Sequence, residues 1–292
     1  MASPIEHLDV AIIGAGISGI GAAHRLLTEC PGKTFALFDA RAAIGGTWDL
    51  FRYPGIRSDS DMYTLSYPWR PWTGRDAIAD GSSILSYLQD TAEDAGVTPH
   101  IRFNTRLVSA NFSSTTSHWT LQLETDGGGD SERRTVTCSF LYSCTGYYNY
   151  AAPYRPDLAG IEDFTGEVVH PQFWPESLDY AGKQVVVIGS GATAISLIPS
   201  LVDDAAHVTM LQRSPSYIVP VPRRDRFAAA FRKVLPPRIA YTLARARNVV
   251  YPLSFYQLCT RLPPCGEGVS AGPGPQHPQR RETAQRSLHP RL

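Results

Sequence analysis

Residues 8–19 read LDVAIIGAGISG, an apolar run that leads directly into three glycines at GxGxxG spacing. A short apolar run before such glycines is typical of a buried parallel β-strand followed by a helix. Gly14 permits a tight turn, Gly16 lets the backbone approach a pyrophosphate, and Gly19 lets the helix pack closely on the strand. The stretch therefore predicts the opening strand, turn and helix of a dinucleotide-binding Rossmann fold.

The residues after this turn complete a predicted nucleotide site. Ile20, Ala23 and Leu27 recur at helical spacing, and the next predicted strand, TFALF, ends at Asp39. A carboxylate at that place accepts hydrogen bonds from ribose hydroxyls and repels a ribose 2′-phosphate. We therefore predict a site for an unphosphorylated adenosine, as in FAD or NAD.

A second glycine-rich turn lies in VVVIGSGATA, residues 185–194. Gly189, Gly191 and Ala194 stand at GxGxxA spacing, and the following predicted strand, HVTML, ends just before Arg213. No carboxylate stands where the first site has its acid, and a guanidinium there can pair with the 2′-phosphate of NADPH. The first predicted site has a carboxylate after its second strand and the second has an arginine at the equivalent place. This combination predicts a flavin that NADPH reduces. A simple dehydrogenase would need only one nucleotide site.

The segment between the two turns predicts further elements of the first domain. Residues 82–96 predict a helix, and the alternating apolar residues of HWTLQLET predict a half-buried strand. The turn DGGGD connects this strand to RTVTC in a β-meander inserted in the domain. FLYSCTGYY, residues 140–148, predicts another buried strand that ends at a glycine able to approach a cofactor.

Composition excludes several classes of protein. The 292 residues are 43% apolar, and 27 basic side chains balance 27 acidic ones, so we predict small-molecule partners and no nucleic acid. The five cysteines form no CxxC pair, which argues against a disulfide framework, a metal site or a dithiol centre and fits a reducing cytoplasm. The N-terminal residues predict neither a signal peptide nor a membrane span.

Residues 164–176, FTGEVVHPQFWPE, read alone as an extended connector because they contain two prolines. They also match the fingerprint FxGxxxHxxxW(P/D), through Phe164, Gly166, His170, Trp174 and Pro175, and residues 45–48 match its companion GGTW. On these motifs the chain resembles flavin-dependent monooxygenases of the Baeyer–Villiger type, and within them the ethionamide-activating branch, over roughly residues 8–263.

The resemblance implies an activity and a set of site residues. NADPH would reduce FAD, oxygen would add at the flavin C4a carbon, and the peroxyflavin would oxygenate a ketone, a thioamide, a thioether or another small molecule containing sulfur or nitrogen. FAD would contact Gly14, Ala15, Gly16, Ser18, Gly19, Asp39, Gly46, Thr47, Trp48, Asp59, Leu107, Thr145 and Gly146. NADPH would contact Gly189, Ser190, Gly191, Ala192, Thr193, Ala194, Arg213 and Ser214.

The resemblance also implies roles near the reacting groups. Arg57 and Asp59 would lie near the nicotinamide, as catalytic residues. His170 and Trp174 would couple cofactor binding to domain orientation, a gating role rather than proton transfer, because the reactive flavin must be kept from water.

The predicted fold class is α/β, with two Rossmann-like, three-layer dinucleotide-binding domains. Residues 1–163 form the FAD domain without its closing segment, 164–182 the linker, 183–263 a partial NADPH domain, and 264–292 an aberrant, disordered tail. Family pattern and apolar periodicity stop near residue 263, and an active-site arginine would belong to the part that follows in the family. We therefore expect an out-of-frame or early-terminated end.

Other interpretations stay open beside the monooxygenase. A flavin disulfide reductase is disfavoured because there is no CxxC, and a cofactor-binding remnant without catalysis, or an unstable product, is the non-enzymatic alternative. Residues 234–258 predict a helix with Ile239, Leu243, Ala246 and Val250 on one stripe. This stripe fits a membrane surface, but a pocket helix without its packing partners is the favoured interpretation.

Overall fold

The computed structural model describes residues 5–126, 131–214, 218 and 220–261. By Cα proximity the described residues divide into two compact units, one of those up to 214 with 223–226, and one of those within 218–222 and 227–261. The domain limits predicted from the sequence stay a prediction. The predicted tail at 264–292 and the glycines of the DGGGD turn lie outside the described residues.

The described chain contains eight strands, seven helices and three short 3₁₀ turns. The strands are β1 (Glu6–Ile13), β2 (Phe35–Phe38), β3 (Ile101–Arg102), β4 (Thr105–Ser113), β5 (His118–Asp126), β6 (Ser131–Ser143), β7 (Gln184–Ile188) and β8 (His207–Leu211). The helices are α1 (Ile17–Glu29), α2 (Thr47–Leu50), α3 (Met62–Leu65), α4 (Gly81–Asp94), α5 (Ala192–Leu201), α6 (Arg226–Val234) and α7 (Pro237–Arg261). The 3₁₀ turns are Thr98–His100, Ile161–Asp163 and Pro171–Phe173.

The main sheet has the strand order β3-β2-β1-β6-β5-β4. Strand β1 pairs in parallel with β2 and with β6, while β4, β5 and β6 form the antiparallel meander predicted from the sequence. Ile12 of β1 shares a buried cluster with Ile20 of α1, whereas the neighbouring Ala11 shares another with Leu121 and Leu123 of the meander. Helices, parallel strands and meander therefore form three layers, and the predicted Rossmann-like α/β class is confirmed.

Strand β6 differs from its prediction in two ways. RTVTC and FLYS are one continuous strand, whose first half pairs with β5 and whose second half pairs with β1. The prediction that FLYS is buried was wrong, since Phe140 and Tyr142 are 57% and 45% exposed. Pairing with β5 ends opposite Cys138, so the meander does not continue alongside the residues that follow. An apolar run alone does not indicate which of its faces will be covered.

The same unit contains the start of a second Rossmann motif. Strands β7 and β8 pair in parallel, as QVVVI and HVTML predict, and α5 lies between them in sequence. Leu197 and Leu201 of α5 are buried in a cluster that Val185 and Val187 of β7 pack against. The alternate residues of these strands, such as Ile188, are exposed.

The second unit contains α7 and nearly all of α6. Helix α7 confirms the predicted helix, but it buries Ala240, Tyr241 and Ala244. Ile239 and Leu243, which belong to the stripe described from the sequence, are exposed. Small side chains allow close packing of a helix, and hydrophobic spacing alone does not identify that face. Within the described residues no helix is both long enough and apolar enough to span a bilayer.

Candidate functional site

The first glycine-rich turn is hydrogen-bonded to the end of β2 and to Asp39, which follows it. The amide of Gly14 donates to the carbonyl of Phe38 at 2.8 Å, and the amide of Ala15 donates to Asp39 Oδ2 at 2.6 Å. The other carboxylate oxygen, Oδ1, accepts from the amide of Arg41 at 2.8 Å. Asp39 is 7% exposed, so its position beside the turn is fixed by backbone donors.

Gly16 and Gly19 belong to the same turn, but the space around a Cβ atom differs between the two positions. A Cβ on Gly19 would lie 1.9 Å from the carbonyl oxygen of Gly14, so the packing of the protein itself demands glycine there. A Cβ on Gly16 would have the Cα of Gly46, at 3.7 Å, as its nearest neighbour, which is an ordinary contact. The protein leaves room for a Cβ at Gly16, and glycine at this helix N-terminus fits the close approach of an anionic ligand.

A cleft lies against this turn. It is lined by nine residues predicted for the FAD site: Gly14, Gly16, Ser18, Asp39, Gly46, Thr47, Trp48, Thr145 and Gly146. The cleft is also lined by Gly45, the first glycine of the GGTW match, and by three residues that sequence reasoning did not select, Ile17, Cys144 and Tyr150. The turn after β1, the acid after β2, the GGTW turn and the loop after β6 thus meet at one place.

Other residues predicted for this site do not line the cleft. Ala15 and Gly19 lie in the turn and in α1 and are buried. Leu107, on β4, packs against the meander cluster. Arg57 and Asp59 are exposed, and Arg57 forms a backbone bridge with Asp80. Their cofactor and catalytic roles stay predictions.

The second glycine-rich turn has the same local construction. Gly191 caps α5, and the amide of Gly189 donates to the carbonyl of Leu211 at the end of β8, at 2.8 Å. A Cβ on Gly191 would meet no atom within 4 Å. The remaining residues predicted for NADPH follow along this turn, the start of α5 and the end of β8: Ser190, Ala192, Thr193, Ala194, Arg213 and Ser214. Both Arg213 and Ser214 are exposed.

The two glycine-rich turns are joined by the residues after GGTW. The hydroxyl of Tyr53 lies 3.3 Å from the hydroxyl of Ser196 on α5. A Cβ on Gly55 would lie 2.1 Å from the Ser200 hydroxyl oxygen. This segment therefore packs directly on the helix that follows the second turn.

The fingerprint segment connects to both parts. His170 caps the 3₁₀ turn Pro171–Phe173, because its Nδ1 accepts from the amide of Gln172 at 3.1 Å. Burial lowers the pKa of His170, and the charge of Arg155 lowers it further, which favours the neutral imidazole that the cap requires. Trp174 meets Tyr180 edge-on, with ring centroids 6.2 Å apart, and packs against the cluster that contains α5.

Gln172 is the residue of this segment that sequence reasoning missed. It is 4% exposed, and its Nε2 donates to the carbonyl of Asn149 at 2.7 Å. Asn149 lies in the loop that follows Thr145 and Gly146. Gln172 occupies a variable position of the fingerprint pattern, so the motif gives no signal for it; an amide between two apolar neighbours is the only hint in the sequence.

Comparison with known proteins identifies the family. Residues 75–248 match the model of flavin-binding monooxygenase-like proteins, and residues 12–77 match an NAD(P)-binding Rossmann-like domain. The chain belongs to the flavin-binding monooxygenase-like family. The family predicted from the fingerprint is thereby confirmed.

Curated relatives and solved structures agree with this assignment. The chain is 53% identical over 259 residues to FAD-containing monooxygenase EthA of Mycobacterium tuberculosis (strain ATCC 25618 / H37Rv), covering 88% of this chain and 52% of the relative. It is 51% identical over 262 residues to putative FAD-containing monooxygenase MymA of the same strain, with the same two coverages. The chain spans about half the length of the curated relatives it matches.

The similar structures include an oxidized steroid monooxygenase bound to NADP, with a TM-score of 0.67 and 31% identity, covering 82% of this chain and 44% of that one. A closed structure of cyclohexanone monooxygenase has a TM-score of 0.64 and 29% identity, covering 84% and 43% of the two chains.

Proposed function

We propose that this chain holds the FAD and NADPH sites of a monooxygenase that oxygenates ketones or small molecules containing sulfur or nitrogen. The observation that carries the proposal is the convergence of the first glycine-rich turn, Asp39, the GGTW turn and Thr145–Gly146 on one cleft. A second glycine-rich turn with an arginine beyond its strand accounts for the reductant.

The residues of the first cleft fit FAD. Asp39 would accept from the ribose hydroxyls of the adenosine, and the turn at Gly16, where the protein leaves room, would hold the diphosphate at the start of α1. The Nε of Arg41, beside Asp39 in sequence, is buried without a hydrogen-bond partner, a donor that a polar ligand would satisfy. Bound FAD would supply the electron and oxygen chemistry that amino-acid side chains lack.

The second turn fits NADPH. The amides at the start of α5 would bind its diphosphate, and Arg213 with Ser214 would bind the 2′-phosphate that distinguishes it from NADH. Both side chains are exposed, so they are accessible to a ligand. In this proposal Arg57 and Asp59 act near the nicotinamide.

His170 and Trp174 have a positioning role in the proposal. His170 holds the turn that contains Gln172, and Trp174 packs against the cluster of α5. The fingerprint segment therefore contacts both the loop after β6, which lines the first cleft, and the second Rossmann motif. Such contacts suit the proposed role of coupling cofactor binding to domain orientation.

The substrate class rests on the relatives. The similar structures are named for a steroid and for cyclohexanone, and the resemblance of the fingerprint extends to the ethionamide-activating branch. A ketone or a thioamide or thioether, with O₂ as the second substrate, is the proposed class. The second candidate function is cofactor binding without turnover.

Purification of the chain tests the proposal. The expected result is a yellow protein whose bound FAD is reduced by NADPH faster than by NADH, and which converts a ketone or thioether with consumption of O₂. Flavin binding and reduction without product would favour the second candidate. A chain that binds no FAD at any concentration would refute both.

A further inference from the structure

Tyr150 lines the cleft from the loop after β6. It is half-buried, and its ring lies beneath the guanidinium of Arg41, with 5.8 Å between the Arg41 Cζ and the ring centroid. Arg41 in turn forms an ion pair with Asp49 and donates its amide to Asp39. Arg41 therefore contacts the Tyr150 ring on the side of the cleft where Asp39 lies.

The hydroxyl of Tyr150 reaches the glycine-rich turns. A Cβ built on Gly46 would lie 3.3 Å from this hydroxyl and 3.2 Å from the Cα of Gly16. The side chain of Thr47 lies beside this hydroxyl and acts to lower its pKa. Tyr150, the GGTW turn and the first glycine-rich turn thus converge at a single point, next to the N-terminus of α1.

The hydroxyl of Tyr150 is protonated at neutral pH, as a phenol ordinarily is. Desolvation raises the pKa of Tyr150 above its ordinary value, and the carboxylate of Asp39 also raises it. A protonated phenol is a hydrogen-bond donor, and donors close to a helix N-terminus favour an anion.

We propose that Tyr150 is a FAD-binding residue whose hydroxyl donates a hydrogen bond to the cofactor's diphosphate. The inference rests on the proposed function, since it requires FAD in this cleft. It adds a phenol donor to a cleft whose lining already includes the hydroxyl side chains of Ser18 and Thr47.

The loop that carries Tyr150 is anchored from the fingerprint segment. Gln172 Nε2 donates to the carbonyl of Asn149, and Asn149 Oδ1 accepts from the amides of Ala151 and Ala152, at 3.0 and 3.4 Å. The backbone is thereby fixed on both sides of Tyr150. Gln172 is a positioning residue in this proposal, and it links the fingerprint segment to the diphosphate end of the cleft.

Titration of the full chain with FAD, after removal of any flavin, tests the role of Tyr150. Tyr150→Phe keeps the ring over Arg41 and removes only the hydroxyl, so FAD should bind roughly 10- to 100-fold more weakly, as for loss of a hydrogen bond to a charged group. Tyr154→Phe is the matched control, because Tyr154 is 85% exposed, and its FAD affinity should equal that of the wild type.

The FAD titrations distinguish failure of the proposed role of Tyr150 from failure of the proposed function. Wild-type chain that binds no FAD overturns the proposed function and this inference together. Wild-type binding with unchanged affinity in Tyr150→Phe overturns the inference alone. Far-ultraviolet circular dichroism of each flavin-free variant checks that the Phe variant retains the fold.

A double-mutant cycle tests the anchoring role of Gln172. Gln172→Met conserves the side-chain volume and removes the amide, and it should weaken FAD binding several-fold in the wild-type background. If Gln172 acts through Tyr150, adding Gln172→Met to Tyr150→Phe should produce little further loss. Fully additive losses would show that Gln172 acts independently of Tyr150 and would overturn this part of the proposal.

Discussion

Alanine at Gly16 and alanine at Gly19 should have opposite consequences, although the two glycines belong to the same turn. At Gly19 the new Cβ would lie 1.9 Å from the carbonyl oxygen of Gly14, well inside a contact distance of roughly 3.5 Å. Overpacking costs about 1–3 kcal/mol even where side chains can move. Here the obstacle is backbone, so we expect the free energy of unfolding to fall by at least about 3 kcal/mol.

At Gly16 the backbone is already extended, with φ −84° and ψ −169°, and the Cβ would make only an ordinary contact at 3.7 Å. We expect Gly16→Ala to change the stability of the flavin-free chain by less than about 1 kcal/mol. The methyl group would occupy the space proposed for the diphosphate, so FAD affinity should fall about 10- to 100-fold, which corresponds to about 1.4–2.8 kcal/mol.

Urea unfolding of the flavin-free variants measures the first quantity, and FAD titration measures the second. The reasoning would be refuted by a Gly16→Ala variant that binds FAD like the wild type, or by a Gly19→Ala variant that unfolds at the same urea concentration as the wild type.

Two further predictions concern the second site and the fingerprint segment. Arg213→Ala should lower NADPH affinity by about 10- to 100-fold while leaving NADH affinity nearly unchanged, because it removes a charge-assisted pair with the 2′-phosphate; equal losses for both nucleotides in a binding titration would contradict this. His170 has a pKa lowered from 6.5, so its stabilising effect is present above that pH and is lost as the pH falls toward its folded-state pKa. His170→Asn supplies a neutral cap acceptor, and its thermal unfolding temperature should fall less than that of the wild type on acidification from pH 7.5 to about 5.5; parallel pH profiles would exclude His170 as a source of the dependence.

The sequence predicted those parts of the site that are formed by residues close together in the chain. The turn at Gly14 and the acid at Asp39 follow strands that are short and apolar, and each has a physical requirement that few residue types meet. Helix α4 was also predictable, because Asp80 caps it and its apolar residues recur at helical spacing.

The failures concern which face of an element is covered. Phe140 has the residue type of a core, yet it is exposed, because burial depends on where the neighbouring elements end. Tyr150 and Gln172 were missed for a related reason. Their contacts are with residues distant in sequence, so no spacing within the chain indicates them.

The parallel pairing of β1 with β6 has a consequence for how the protein is made. Val10 pairs with Phe140, and Gly14 packs against the carbonyl of Cys144, so the cleft joins segments that the ribosome delivers about 130 residues apart. The glycine-rich turn therefore leaves the ribosome long before the strand that closes it. We expect cofactor capture to wait until β6 and the loop after it have been made, although β1 can pair with β2 much earlier.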